Sequence, residues 1–366
     1  MRLAWRELIR RPTRFLTVGV ALTLIVLLLL VLGGILDALV QSSTGLLQAQ
    51  SAPLIVYSVD SKGSLDRSRV TGSERDAIAQ VPGVHEATGL GLALVAGHVE
   101  GRTEPADVAV FGYQAPNRKV PAPPGPGEGY ADRSLADDGI SIGDTIALGT
   151  ARIPVRVVGW VSGTDYNLQK GLWVDAATWR RTLNANRPDA AVAPGTFQAV
   201  LVTPEEGATL GRLASQIEAT VPTVTVLTIA EAIAQVPGVS EQNSVFSAII
   251  GVTFAVAGIV VALFFALLTI ERVGLLGILK AIGASSKTLA AGLTLQAVVI
   301  AIGAMALGSV LAVGLSRVIP ATVPLTLSVG RFAFTAAGLV VTALIGSAIS
   351  FRRIVRIDPA SAVGGA

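Results

Sequence analysis

Phosphate chemistry is the first possibility that the sequence raises, because a glycine and a lysine stand close together near position 285. The segment Gly283-Ala-Ser-Ser-Lys287-Thr288 is the nearest approach to a phosphate-binding loop. Such a loop requires a glycine directly before the lysine, and Ser286 stands there instead. The segment therefore predicts no nucleotide site, and any ATP chemistry is expected on another chain.

Other reactive side chains are few. The chain has no cysteine, which excludes thiolate chemistry, disulfides and cysteine-based metal sites. Its two histidines, His85 and His98, are too few for a histidine-based metal centre. The acidic pair Asp137-Asp138 stands beside a predicted turn, where we interpret it as solvated, and the sequence lacks the Gly-x-Ser-x-Gly nucleophile motif. We therefore expect a non-catalytic protein with no cofactor of its own.

The composition is that of a membrane protein, with 51% hydrophobic and only 14% charged residues. A helix needs about 20 apolar residues to cross the hydrocarbon core. The first apolar stretch is longer than the roughly 7–15 residues of a signal-peptide core, so we predict that it is a retained span. The four candidate stretches are Phe15 to Leu36, Val245 to Ile270, Leu289 to Leu315 and Phe332 to Ser350.

The predicted fold class is a membrane protein with four transmembrane α-helices and a large α+β extracytoplasmic domain inserted between the first and second helices. Residues 1–14 predict a cytoplasmic amphipathic helix that ends at Pro12, although a simple basic anchor is an equal alternative. The other predicted parts are spans at 15–40, 243–270, 289–317 and 332–351, the extracytoplasmic domain at 41–242, a cytoplasmic coupling helix at 271–288, a short extracytoplasmic loop at 318–331 and a cytoplasmic tail at 352–366.

Charge bias predicts the orientation. The two terminal segments and the loop at 271–287 together carry eleven basic and three acidic residues, out of 28 and 25 in the whole chain. The rest of the chain is net negative. Four spans put the three basic segments on one side, which we predict to be the cytoplasm of a bacterial cell. The basic pI of about 9.4 reflects this bias, so we infer no nucleic-acid partner.

The extracytoplasmic domain reads as alternating strands and helices. Its predicted helices begin at the N-cap Ser73, at Ala176 and at Pro204, and run to Gln80, Leu183 and Thr220. A Pro/Gly-rich loop is predicted from Val120 to Gly129. The predicted strands are 54–59, 106–113, the pair 140–149 and 152–161, 171–175, 196–203 and 223–228.

Three features leave two interpretations open. The sequence AIAQVPGV occurs at 77–84 and again at 232–239. The two copies are either a duplicated helix–turn unit or two unrelated helices that both end at Pro-Gly, and we favour the second interpretation. Pro237-Gly238 precedes the second span and is a hinge candidate or an ordinary loop. The small residues of the second and third spans line a dimer seam or pack within one subunit; they are Gly251, Ala255, Gly258, Gly303, Ala304, Gly308 and Gly314.

The segment from Ile270 to Ala290 is the most informative part of the sequence. Leu275, Leu279 and Ile282 follow the spacing of one helix face, and Gly283 supplies a helix stop. Such a helix offers its apolar face to a partner groove, or rests on the lipid boundary. We predict that it docks a cytoplasmic partner, which the resemblance described next implies is an ATPase, through Glu271, Arg272, Leu275, Leu276, Leu279, Lys280, Ile282, Gly283 and Ala284.

This loop resembles that of permeases in the MacB/FtsX-like ABC transporter superfamily, especially the DevC-like branch. The family pattern is E-R-x-x-E-[IL]-G-x-[LM]-[KR]-A-[IL]-G-A-[ST], and this chain departs from it where Leu275 replaces the second acid. The tail resembles the family ending at Asp358, Pro359 and Ala362. The matching loop residues are Glu271, Arg272, Leu276, Gly277, Leu279, Lys280, Ala281, Ile282, Gly283, Ala284 and Ser285.

The resemblance implies a dimeric permease, with a second copy or a paralogue, that pairs with two cytoplasmic ATPase subunits. ATP and magnesium would be bound by those subunits, and their motion would pass to the extracytoplasmic domain. This serves export or extraction of a substrate, or activation of an extracellular cell-wall hydrolase in an FtsX-like regulator. An adaptor, lipoprotein or hydrolase is then a further partner. A sensor without an ATPase is a third hypothesis, which the loop motif disfavours.

Overall fold

The structure divides into two compact units, of which the second is inserted into the first. Residues 1–38 and 243–366 form one unit, called the helical unit here, and residues 39–242 form the other, the α/β domain. Four helices in the described part of the chain are long and apolar enough to span a membrane. The predicted fold class is therefore confirmed. This computed structural model describes residues 12–100, 102, 104–271, 274, 278, 282–283, 285–320 and 323–355.

The elements are numbered in chain order. The helices are α1 (Pro12–Gln48), α2 (Gly72–Ala79), α3 (Ala176–Asn186), α4 (Leu210–Thr220), α5 (Ile229–Gln235), α6 (Val239–Glu271), α7 (Ser286–Ser316) and α8 (Val329–Val355). The strands are β1 (Leu54–Ser58), β2 (Val84–Val99), β3 (Ala106–Tyr113), β4 (Glu128–Asp132), β5 (Thr145–Leu148), β6 (Ile153–Val161), β7 (Lys170–Asp175), β8 (Ala199–Pro204) and β9 (Val224–Thr228).

The long helices extend beyond the apolar stretches that define the predicted spans. α1 continues twelve residues past Leu36 and therefore contains Asp37, and α8 begins three residues before Phe332 and contains Arg331. The helices therefore contain charged residues that the apolar stretches within them lack. Pro12 is the first described residue of α1, and residues 1–11 of the predicted N-terminal helix lie outside the described residues.

Four strands and two helices of the α/β domain form a split βαβ arrangement. The strand order at this end of the sheet is β2-β8-β1-β9, with every neighbouring pair antiparallel. α2 connects β1 to β2, and α4 connects β8 to β9. Apolar side chains of both helices pack on the sheet, among them Ile78, Leu213 and Ile217, which are all buried.

The segment between β2 and β8 adds a closed ring of strands. β2 pairs with both β3 and β5, and the pairing continues through β7, β4 and β6 until it returns to β5. Two of the pairs, β3 with β7 and β4 with β6, are parallel. Because β2 is 16 residues long, its first half belongs to the split βαβ sheet and its second half to the ring.

Sequence analysis missed two strands, β2 and β4, and the glycines of β2 explain why that strand was missed. Glycine weakens a strand pattern, yet here it makes room for aromatic rings. A Cβ placed on Gly89 would lie 2.2 Å from the ring of Phe197, and one on Gly91 would lie 2.2 Å from the ring of Trp179. These two rings stack with centroids 5.5 Å apart. The glycines are therefore required by packing that only the folded chain shows.

Other local predictions need smaller corrections. The N-cap of α2 is Thr71, not Ser73, and Thr71 forms a capping box with Glu74. β4 begins at Glu128, inside the predicted Pro/Gly loop, and α4 begins at Leu210 because Pro204 ends β8. Both AIAQVPGV copies end a helix, but the first leads into a strand and the second into α6.

Candidate functional site

The connection between α6 and α7 carries the residues predicted to dock a partner. α6 ends at Glu271 and α7 begins at Ser286. Three of the predicted residues, Glu271, Ile282 and Gly283, are described, and all three are exposed. The other predicted docking residues lie outside the described residues; they are Arg272, Leu275, Leu276, Leu279, Lys280 and Ala284.

A helical turn with uncovered apolar side chains precedes the glycine. The Ile282 amide donates to the Ile278 carbonyl over 3.0 Å, which is the spacing of an α-helix. Gly283 has a φ of +98°, the left-handed conformation that ends helices. Ile282 is 78% exposed and Ile278 is 48% exposed. Two isoleucines at the spacing of one helical turn are thus exposed.

The far end of this connection is fixed by a helix cap. The Ser285 hydroxyl accepts a hydrogen bond from the Thr288 amide over 3.2 Å and lies 2.9 Å from the Thr288 hydroxyl. This satisfies an amide at the start of α7. Gly283 and Ser285 are therefore two residues apart, and Ser285 is the N-cap of α7.

An ion pair links α1 and α8 within the helical unit. Arg331 Nε donates to Asp37 Oδ2 over 3.0 Å, and its Nη2 donates to Oδ1. The Arg331 guanidinium also lies 5.9 Å from the centre of the Phe334 ring, and this ring meets Phe254 of α6 edge to face. The ion pair and the two aromatic contacts thus connect α1, α8 and α6. Sequence analysis missed the ion pair because Asp37 and Arg331 each stand just outside an apolar stretch.

The structure separates the small residues of the membrane helices into two groups. Gly258 and Gly308 pack within the chain: a Cβ on Gly308 would lie 2.5 Å from the Val26 side chain, and one on Gly258 would lie 3.2 Å from Thr342. A Cβ on Gly251, Gly303 or Gly314 meets no other described atom within 4 Å. Ala304 is buried, and Ala255 lines an apolar groove between α6 and α8. The first group therefore serves helix packing within one subunit.

The hinge candidate forms a tight turn between α5 and α6. Pro237 and Gly238 are exposed, and Gly238 has a φ of +82°. The residues on either side, Val236 and Val239, are buried in the same core cluster, and the Val239 amide donates to the Val236 carbonyl over 3.2 Å. The turn is therefore anchored at both ends, while its two central residues face solvent.

A buried acidic pair in the α/β domain is a second feature that sequence analysis missed. Asp132 is 3% exposed, and its Oδ2 accepts hydrogen bonds from both the amide and the hydroxyl of Thr164, each over 2.7 Å. Burial raises the pKa of the nearby Asp165 carboxyl to about 6, and the charge of Asp132 raises this pKa further. Burial also lowers the pKa of Lys119, which faces both carboxylates.

The other candidate reactive residues, Asp138 and the two histidines, are not part of this acidic pair. Asp138 forms an ion pair with Lys170 over 2.6 Å, so it is not simply solvated. His85 is exposed and His98 is half-buried on β2. Within the described residues, no group of three or more His, Asp or Glu side chains is placed to hold a metal ion.

The helical unit contains the segment that matches a known protein family. Residues 247–359, from α6 to beyond α8, match the FtsX-like permease C-terminal family. The chain is also similar over its whole length to a candidate hemin transport system permease protein, HrtB, of Staphylococcus epidermidis, with 24% identity covering 100% of this chain and 99% of the relative. An uncharacterized ABC transporter permease of Mycobacterium tuberculosis is 39% identical over 110 residues, which cover 30% of this chain and 31% of the relative.

Residues 247–359 of this chain are therefore similar to FtsX-like permease domains, and the relative that matches over the full length is named as a transport system permease. Among solved structures, the periplasmic region of MacB from Actinobacillus actinomycetemcomitans is similar, with 10% identity, a TM-score of 0.37, and 50% of this chain and 91% of that chain covered. The extracellular domain of the transporter YknZ from Gram-positive bacteria shows 13% identity and a TM-score of 0.34, with 48% and 99% covered.

Proposed function

We propose that this protein is the membrane subunit of an ABC-type system in which a separate cytoplasmic ATPase drives movements of the α/β domain. The movements serve export or extraction of a substrate. The observation that carries the proposal is that the FtsX-like segment 247–359 contains the exposed turn at Ile278 and Ile282. In this proposal ATP and magnesium are bound by the ATPase, and the permease itself is not catalytic.

The turn suits docking because its apolar surface is uncovered in the isolated chain. A short helix with apolar side chains on one face binds a hydrophobic groove on a partner. Burial of each leucine-sized side chain contributes roughly 1.5–3 kcal/mol. Charge bias favours the cytoplasm for this turn and for both termini, in a bacterial cytoplasmic membrane. The assembly would contain two ATPase subunits and a second copy of this permease or a paralogue.

Replacement of Ile282 by aspartate tests the docking site. Val318, just past the other end of α7, is the matched control, since it is 79% exposed against 78% for Ile282. In membranes from the native host, the tagged Ile282→Asp chain is expected to recover at least tenfold less ATPase than wild type, while Val318→Asp recovers a normal amount. Recovery of the ATPase by Ile282→Asp at the wild-type yield would refute the docking assignment.

The full-length relatives named as hemin transport permeases favour transport over regulation of a hydrolase. Hemin is accordingly the first cargo to test. Cells without the gene are expected to tolerate less external hemin, and the wild-type gene, but not the Ile282→Asp variant, restores growth. Unchanged hemin tolerance together with a cell-separation defect would support the alternative, a regulator that activates an extracellular cell-wall hydrolase.

A further inference from the structure

The C-terminal end of α1 is hydrogen-bonded through its main chain to the loop between β6 and β7. Thr44 of the helix lies opposite Tyr166 of the loop in an antiparallel bridge. Main-chain bonds from a loop to a helix end hold both segments without depending on side-chain rotamers. The three bonds are Leu46 N to Asp165 O at 3.1 Å, Asn167 N to Ser43 O at 3.2 Å and Leu168 N to Ser42 O at 3.0 Å.

Gly45 makes this contact possible. A Cβ on Gly45 would lie 2.8 Å from the carbonyl oxygens of both Gly163 and Asp165, so any larger residue must push the loop away. The Gly163 carbonyl also accepts hydrogen bonds from Gln41 Nε2 over 2.8 Å and from Lys119 Nζ over 2.7 Å. Loop and helix are thus in contact over two helical turns.

The opposite side of the same loop is fastened to the strand ring. Asp132, at the end of β4, accepts the two hydrogen bonds from Thr164. Asp165 Oδ1 accepts hydrogen bonds from the Ser134 hydroxyl over 2.9 Å and from the Gly171 amide of β7 over 3.1 Å. The loop is therefore fixed to α1 by its main chain and to β4 and β7 by two carboxylates, the buried Asp132 and the half-buried Asp165.

At the second chain connection of the α/β domain, the main-chain hydrogen bonds of the Pro237-Gly238 turn join residues close together in the chain. At the Pro237-Gly238 turn, the nearest atom to a Cβ on Gly238 is Gln242 Nε2 at 4.0 Å. Val236 and Val239 are buried in one core cluster, and the turn has two main-chain hydrogen bonds, from the Val239 amide to the Val236 carbonyl over 3.2 Å and from the Gln242 amide to the Gly238 carbonyl over 3.0 Å. Fewer buried contacts and exposed backbone correspond to lower local stability.

We propose that residues 41–48 of α1 and the loop 163–168 form a clasp that makes α1 the stiff chain connection of the α/β domain, and the Pro237-Gly238 turn the compliant one. Gly45 is then a positioning residue. In the ATP-driven cycle, displacement enters the α/β domain through α1 while the turn absorbs the change in angle. This consequence rests on the proposed function, whereas the clasp itself can be measured without an ATPase.

Hydrogen exchange of the full-length protein in detergent measures the clasp directly. Amides at 42–48 are expected to exchange at least tenfold more slowly than those at 235–241. Gly45→Val is expected to speed exchange in both 42–48 and 163–168, because one contact holds both segments. Gly211→Val is the control, since a Cβ there meets no described atom within 4 Å, and it leaves both segments unchanged. Equal exchange at 42–48 and 235–241 in the wild type would overturn the proposal.

A disulfide tests whether the clasp stays closed during the cycle. The chain has no native cysteine, and residues opposite each other in an antiparallel bridge meet the distance requirement of a disulfide. The oxidised Thr44→Cys/Tyr166→Cys protein is expected to keep ATP-dependent activity. Inhibition by oxidation that a reductant reverses would show that the clasp must open. Because co-purification of the ATPase is scored separately, failure of the clasp is distinguishable from failure of the docking assignment.

Discussion

Arg331 and Asp37 are 294 residues apart in the chain and form a two-point ion pair between α8 and α1. Their side chains are only 14% and 31% exposed. Gly33 packs directly against the Arg331 side chain, since a Cβ on Gly33 would be 2.6 Å from Arg331 Cδ. In the adjoining turn of α1, the Gly34 carbonyl accepts a hydrogen bond from the Thr326 amide over 3.1 Å. The two adjacent glycines of α1 thus pack against the Arg331 side chain and against the segment that precedes α8.

Removal of one partner of this ion pair is expected to destabilise the helical unit. Arg331→Met leaves the Asp37 carboxylate without its ion-pair partner in a largely buried place, at a cost of about 3 kcal/mol. The thermal unfolding midpoint of the purified protein should fall, and the double variant Asp37→Asn/Arg331→Met should recover most of the loss. A single variant that unfolds at the wild-type temperature would contradict the structural role of the pair.

A close approach of α6 and α8 at Gly346 predicts a second effect on stability. A Cβ on Gly346 would lie 2.9 Å from the Gly258 carbonyl oxygen, so Gly346→Val must separate the two helices, at a cost of about 1–3 kcal/mol. Gly251→Val on α6 is the control, because a Cβ there meets no other described atom within 4 Å. We expect a lower midpoint for Gly346→Val alone, and equal midpoints for the two variants would refute the contact.

The raised pKa of Asp165 predicts a pH-dependent stability of the α/β domain. The pKa of about 6 lies above the ordinary value of 3.8, so the folded state binds the proton more tightly than the unfolded state. Stability from this group is full below pH 4 and is lost as the pH rises through 6. The charged groups that act on it are Asp132, which raises its pKa, and Lys170, which lowers it; Lys119 also faces it.

Asp165→Asn should therefore raise the unfolding midpoint at pH 7.5 by about 2–5 °C and flatten the profile between pH 4 and 6. The amide oxygen still accepts from Ser134 and Gly171. Asp132→Asn should lower the unfolding midpoint, since Asp132 accepts three hydrogen bonds. Loss of one of them destabilises the folded state by about 1–3 kcal/mol. Identical shifts for both variants would contradict this assignment of roles.

The membrane orientation is tested by single cysteines, which are unambiguous because the chain has none of its own. Ser141 in the α/β domain and Lys287 at the start of α7 are both exposed. In intact cells an impermeant thiol reagent should label Ser141→Cys, and it should label Lys287→Cys only after the membrane is permeabilised. Equal labelling of the two variants in intact cells would exclude the proposed four-span orientation.

The sequence by itself determined the four apolar helices, because a run of about 20 apolar residues without charge has no other stable place than a membrane or a large core. It also determined the strands with strong alternation, such as β3, and the glycine at position 283, which adopts the left-handed conformation. These features depend on neighbouring residues and on their interaction with solvent, which the chain order records directly.

Only the tertiary structure decided the features that depend on distant partners. β2 was missed because Gly89 and Gly91 are explained by the rings of Phe197 and Trp179, which stand about 90 or more residues later in the chain. Asp37 and Arg331 show their role only when α1 and α8 lie side by side, and Gly45 only when the loop at 163–168 reaches it. Such contacts are fixed by steric fit and by desolvation of charges in the folded protein, and the chain order does not record these.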